Sequence, residues 1–154
     1  MQDLFRNQPG ILATRVGYTG GDLHNPNYND VKTGSTGYAE AIEVEFDNRQ
    51  TSYKKVLEFF FTMHDPTTKN RQGNDMGSQY RSAIFYLNDE QKDVAKELIK
   101  EIDERGRLPG RIKTEVVSAT PFFDAESFHQ DYLEKNPGGY TCHWVRPEWM
   151  LKNK

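Results

Sequence analysis

The sequence predicts a single α/β (α+β) domain in which a sheet is covered by helices on at least one face, and three observations carry that prediction. Stretches with apolar residues at every second position alternate with stretches whose apolar residues recur at helical spacing, in the order helix, strand, strand, helix, strand, helix, strand, helix. The chain has 154 residues, enough for one sizeable core, and no repeat or linker divides it, so the domain is read as 1–154. A hydrophobic fraction of 35% beside a charged fraction of 28% suits a globular chain with a wet surface. Connection lengths leave parallel and mixed sheets both open.

Residues 1–8 form the first helix, marked by Leu4 and Phe5 and stopped by Pro9-Gly10. It begins without a capping side chain, and only Asp3 offers a favourable charge in its first turn. A strand follows over 11–18, closed by Thr19-Gly20-Gly21, and then a long loop rich in glycine, asparagine and aspartate over 20–37. In the next strand Ile42, Val44 and Phe46 share one face while Glu43 and Glu45 point the other way. Glu40 falls on the apolar face, near the strand's start, either as a frayed end that reaches water or as an acid held in a pocket.

Ser52 caps a helix whose Tyr53, Val56, Leu57 and Phe60 recur at helical spacing, with His64-Asp65-Pro66 at its end. Residues 65–79 carry almost no apolar side chain, and their asparagines, aspartates and glycines predict an ordered, hydrogen-bonded loop. A strand is expected over 80–87. Asn88 caps the next helix, Gln91 completes a capping box, Val94, Leu98, Ile99 and Ile102 form its buried stripe, and Gly106 stops it. A strand over 112–118, a short helix over 124–134 presenting Phe128, Tyr132 and Leu133 inward, and an irregular tail over 140–154 complete the chain.

Composition excludes several function classes. No segment is long and apolar enough to span a bilayer, and residues 1–6 lack the basic and apolar regions of a secretion signal, so no membrane is expected as partner and the cytoplasm is the default location. A net charge of −3 with both signs interspersed argues against a nucleic-acid surface. One cysteine, Cys142, excludes an internal disulfide and a cysteine-rich metal site. His64 and His129 have no second ligand at metal spacing on the same element, so they read as structural and no metal is expected. His143 adjoins Cys142, but neighbours in an extended segment point apart and do not make a nucleophile and base.

The polar segments carry the candidate chemistry: Tyr28 in the first loop, Glu40 at a strand start, and Asp75 and Tyr80 at the end of the second loop. Brought together, one carboxyl and two phenols would donate hydrogen bonds to a polar oxygen, and a carboxyl desolvated among aromatic rings would hold its proton near neutral pH. Kept apart, the tyrosines are core aromatics whose hydroxyls reach the surface.

In order and spacing, Gly17-Tyr-Thr-Gly-Gly21, Asn25-Pro-Asn-Tyr28, Ala39-Glu40-Ala41, Phe60-Phe-Thr-Met-His-Asp-Pro66, Arg71-Gln-Gly-Asn-Asp75, Gln79-Tyr-Arg-Ser-Ala-Ile84, Thr114-Glu115, His129-Gln130 and Asn136-Pro-Gly-Gly-Tyr140 resemble the peptide methionine sulfoxide reductase A family along the whole chain. The resemblance implies a two-layer mixed sheet covered by helices and reduction of the S epimer of methionine sulfoxide, free or in oxidised proteins. It places a protonated Glu40 with Tyr28 and Tyr80 on the sulfoxide oxygen, and has Asp75 order the site. A cysteine thiolate attacks sulfur, the glutamate protonates the oxygen, and methionine leaves a cysteine sulfenic acid. A second cysteine closes a disulfide, which thioredoxin reduces. Cys142 stands where many bacterial members keep that resolving cysteine, and no cofactor is implied beyond thioredoxin or dithiothreitol as reductant.

The chain departs from the family in two places. The family's nucleophile lies in Gly-Cys-Phe-Trp-Gly at the start of the first helix; Met1 aligns just after that motif, so the first strand and the nucleophilic cysteine are expected to be missing. Tyr38 stands where the family more often has His. Hydrogen-bond donors alone supply no electrons to a sulfoxide, so the polypeptide as written is expected to be inactive: a reductase of that family represented by a truncated chain, or alternatively a non-catalytic module that binds sulfoxide peptides, or an inert remnant.

Overall fold

The computed structural model describes residues 1–21, 37–127, 130–135, 137 and 143–150. The expectations for Tyr28, Phe128, His129 and Cys142 fall outside the described residues.

The first helix, α1 (Gln2–Arg6), is short and starts at Met1 without a side-chain cap. β1 (Ile11–Thr19) and β2 (Ala39–Phe46) pair antiparallel, with Tyr18 opposite Glu40 and Val16 opposite Ile42. β2 keeps the predicted alternation: Ile42, Val44 and Phe46 are half-buried while Glu43 and Glu45 are exposed. Glu40 breaks the rule of a buried face, since it too is exposed. α2 (Tyr53–Met63) is capped by Ser52, whose hydroxyl accepts from the Lys55 amide at 3.2 Å.

Within the second loop, β3 (Arg71–Gln72) and β4 (Asp75–Met76) form a two-residue hairpin, followed by a 3₁₀ turn over Ser78–Tyr80. The strand expected over 80–87 is therefore shorter, β5 (Ala83–Tyr86), and Tyr80 belongs to the turn before it. The turn starts at Gly77, whose φ of 134° is open to glycine and at which a Cβ would lie 2.3 Å from Gln79 Oε1.

α3 (Asp89–Arg105) begins at Asn88, which accepts from the Gln91 amide at 2.9 Å, and ends at Gly106 in the left-handed conformation. The second half of the capping box is displaced by one residue: Gln91 Oε1 accepts from the Leu87 amide at 2.9 Å. α3 buries Ala95, Leu98 and Ile102, with Ile99 partly buried beside them. It carries the chain from β5 to β6 (Glu115–Ser118), which pairs parallel to β5, so these elements form a βαβ unit. The main core lies where this unit meets α2: Leu57, Phe61, Ile84, Ala95, Leu98 and Ile102.

The helix expected over 124–134 is corrected. Phe123–Asp124 is a strand, β7, pairing with Tyr18 and Gly17 of β1, and only Tyr132–Lys135 is helical, as α4. Tyr132 is 42% exposed rather than inward-facing. Two local features account for this. Gln130 holds Val16 as a strand neighbour would, accepting from its amide at 3.0 Å and donating to its carbonyl at 2.7 Å, and Asp131 has a φ of 53° that interrupts a helix. Close approach of β7 also requires Gly17, where a Cβ would meet the Phe123 carbonyl at 2.2 Å. The strand order is β2-β1-β7 in one sheet, β5-β6 in a second and β3-β4 in the hairpin, so antiparallel and parallel pairings both occur.

Candidate active site

Between the β1/β2 sheet and β5 lies a cavity of about 700 Å³, within the range of roughly 300–1,000 Å³ typical of ligand sites. Its walls come largely from α1, β1, β2, α2 and β5, with further residues from the second loop and from α4, and Glu40, Asp75, Tyr80 and His143 all line it. Three of the five predicted site residues, Glu40, Asp75 and Tyr80, are thus brought to one cavity; Tyr28 and Cys142 lie outside the described residues.

Glu40 enters from the start of β2, and its pKa is pushed up from 4.5 to about 7. Desolvation by surrounding protein is the largest cause, followed by the like charges of Asp75 and Glu126. Exposure and desolvation coexist here because the side chain meets water inside a concave site while protein atoms and two other carboxylates surround it. Near neutral pH such a group is partly protonated, so its carboxyl can donate a hydrogen bond or deliver a proton.

The second loop delivers Asp75 and Tyr80 through a chain of hydrogen bonds. Gln72, 6% exposed, accepts from the Asp65 amide at 3.1 Å and donates to its carbonyl at 2.5 Å. Asp65 in turn accepts from the Thr67 amide at 2.9 Å and hydroxyl at 2.5 Å. Gln72 pairs across the hairpin with Asp75, which fixes that residue's backbone at the cavity. After the turn that contains Tyr80, Arg81 donates to the Ser78 carbonyl at 2.9 Å, the Gly37 carbonyl at 2.9 Å and Glu115 at 3.2 Å. One guanidinium thus ties the Tyr80 turn to the residues leading into Glu40.

His64, at the end of α2, is 1% exposed, and burial pushes its pKa down to about 4. The neutral ring has one N–H, and the carbonyl of Phe60, 2.7 Å from Nδ1, can only accept, so Nδ1 carries the proton. Nε2 then accepts from the Ser82 hydroxyl at 2.8 Å, and Ser82 accepts from Thr114, 2.7 Å away. The predicted structural role of His64 is what the geometry supports: it locks α2 to β5 and to the residue before β6.

Two further residues lie beside the site: Glu126, which sequence reasoning missed, and His143, which it considered only as a base for Cys142 and set aside. Glu126 accepts the Tyr18 hydroxyl at 2.9 Å and adds negative charge near Glu40. His143 lines the cavity with its pKa pushed down to about 3, chiefly by desolvation, so it is uncharged. Tyr18 did lie in one of the quoted motifs; no pattern tied it to Glu126, 108 positions away. Tyr38 is 4% exposed and packs edge-on against Phe123 at 6.0 Å, a core role. Among the described residues no cluster of His, Cys, Asp and Glu could hold a metal ion, and no helix is long and apolar enough to cross a membrane.

Comparison with known proteins gives a consistent picture. The sequence model of the family described as peptide methionine sulfoxide reductase matches residues 1–153. The chain is 56% identical over 154 residues to the peptide methionine sulfoxide reductase MsrA of Mycobacterium sp. (strain MCS), covering 100% of this chain and 88% of that one. Among solved structures it is similar to Mxr1 from Saccharomyces cerevisiae in reduced form, with a TM-score of 0.86 and 33% identity over 94% of this chain and 82% of that one. It is also similar to methionine sulfoxide reductase A of Corynebacterium diphtheriae, with a TM-score of 0.78 and 36% identity over 91% of this chain and 71% of that one. Motif order, mixed α/β fold and these likenesses agree: the chain belongs to the peptide methionine sulfoxide reductase family, a family of oxidoreductases.

Proposed function

We infer that the cavity at Glu40 binds the oxygen of methionine sulfoxide, of the S epimer, free or in oxidised proteins. The observation that carries this reading is a carboxyl with a pKa of about 7 lining one cavity with Asp75 and Tyr80. A sulfoxide oxygen is a strong acceptor with no proton of its own, so it pairs with a protonated carboxyl and with phenols, and Tyr28 is the second phenol proposed. Asp75 acts through Glu40, keeping the acid's pKa high by like charge.

Reduction also needs a nucleophile. The family reaction uses a cysteine thiolate that attacks sulfur and takes up the oxygen as sulfenic acid. The single cysteine of this sequence, Cys142, is assigned the resolving role, in which its thiol condenses with that sulfenic acid and releases water. We therefore propose that a polypeptide of these 154 residues alone binds methionine sulfoxide without turning it over. Thioredoxin is the proposed physiological reductant of the whole system, in keeping with the complex that the yeast protein Mxr1 forms with Trx2. No dissociable cofactor enters the scheme, and a single domain in the cytoplasm is the setting it assumes. The test is an assay with the S epimer and dithiothreitol, which should give no methionine above background. Turnover that disappears in Cys142→Ser would contradict the proposal and make Cys142 the nucleophile.

A further inference from the structure

The chain carries four methionines, the residue class that the Glu40 site takes once oxidised: Met1, Met63, Met76 and Met150. Methionine side chains are normally buried. Met63 is 0% exposed and Met150 37%, and Met1 is half-buried against the cavity, whereas Met76 in the β3/β4 hairpin is 74% exposed. A thioether reacts with peroxide only where peroxide can reach it, so Met76 is the first of the four to be oxidised. Hydrogen peroxide gives the sulfur one oxygen: the S–O bond forms as the O–O bond breaks, the thioether is oxidised, the peroxide is reduced and water leaves.

The hairpin keeps that sulfur out of its own cavity. Successive residues of a strand point to opposite faces, and Asp75 lines the cavity while Met76 does not. Gln72 pairs with Asp75 on the inner side, and Arg71 pairs with Met76 on the outer. The Gly77 amide donates to the Asn70 carbonyl at 2.9 Å and pins the end of the hairpin in this orientation. A sulfoxide at Met76 therefore meets a Glu40 site only in a second copy. Charge favours that encounter: Lys69 and Arg71 are exposed cations on the hairpin, while Glu40 and Asp75 line the cavity with Glu126 close by.

We propose that Met76 is an oxidation site of this protein and that its sulfoxide, in the S form, is bound by the Glu40 cavity of a second copy. The binding half rests on the reading of Glu40, Asp75 and Tyr80 as a sulfoxide site. Oxidation makes each chain both ligand and receptor, and because the two surfaces differ the contact is heterologous and repeats from copy to copy.

The test treats the whole chain with dilute hydrogen peroxide, maps the added oxygen by peptide mass spectrometry and follows association by sedimentation. Dithiothreitol is kept present so that no disulfide through Cys142 links copies. Oxygen should appear on Met76 ahead of the other three methionines. The oxidised chain should associate reversibly with rising concentration, and excess free methionine sulfoxide of the S form, but not of the R form, should disperse it. Met76→Leu should stay monomeric after the same treatment, and Arg71→Glu should weaken association by about fivefold or more by bringing like charges together. Oxidation of another methionine first, association that survives Met76→Leu, or association unchanged in Arg71→Glu would overturn the proposal. A chain that binds a methionine sulfoxide peptide in calorimetry, yet does not associate when oxidised, would overturn it and leave the sulfoxide site standing; a chain that does neither would overturn both.

Discussion

Glu40 concentrates the electrostatic argument in one side chain. Its pKa of about 7 lies above the ordinary carboxylate value of 4.5, so the folded state disfavours its charged form. The stability associated with the neutral acid is full below pH 4.5 and is lost as pH rises through about 7. Glu40→Gln should therefore melt at a higher temperature than the parent at pH 8 and at nearly the same temperature at pH 4, as read by thermal denaturation at both values. Asp75→Asn should lower the Glu40 pKa, measured by carboxyl NMR titration, because it removes a like charge. The sequence made Glu40 legible through parity alone: an acid in register with Ile42, Val44 and Phe46. Its carboxylate neighbours were not legible that way, because Asp75 and Glu126 arrive from distant segments and no local period records that. Gln130 is a similar case, a glutamine whose amide stands in for a strand, which no propensity scale anticipates.

At the scale of elements, local chemistry predicts ends better than lengths. Ser52 and Asn88 cap their helices as their residue types require, and replacing either with alanine should cost about 1 kcal/mol in denaturant unfolding. Gly17→Ala should cost more, about 1–3 kcal/mol by overpacking, because β7 lies too close for a methyl group. Retained stability in that variant would mean that the β1/β7 contact is looser than described. The strand expected from 80 gave way to a turn because Gly77 and Arg81 redirect the chain, the first by its positive φ and the second by three hydrogen-bonded anchors. The helix expected over 124–134 failed for a related reason: pairing with β1 outcompetes helical spacing at Phe123 and Asp124, a tertiary effect invisible in a window of sequence.

At the scale of the whole molecule, one side is a βαβ unit packed on α2 and the other is the antiparallel β1/β2/β7 sheet, with the cavity between them. Leu98→Ala, in the core of the first side, should destabilise the chain by about 2–5 kcal/mol while leaving the Glu40 pKa near 7. The alternation of helices and strands announced this class of architecture. It could not announce the cavity, whose walls are drawn from helices, strands and a turn far apart in the chain. The central claim, that a protonated Glu40 holds a sulfoxide oxygen in this cavity, is tested most directly by calorimetric titration of a methionine sulfoxide peptide from pH 5 to 9. Affinity should fall as pH rises through about 7 in the parent chain and stay level in Glu40→Gln, whose neutral amide keeps a donor at every pH. Affinity in the parent that is independent of pH over that range, or no binding at pH 5, would contradict it.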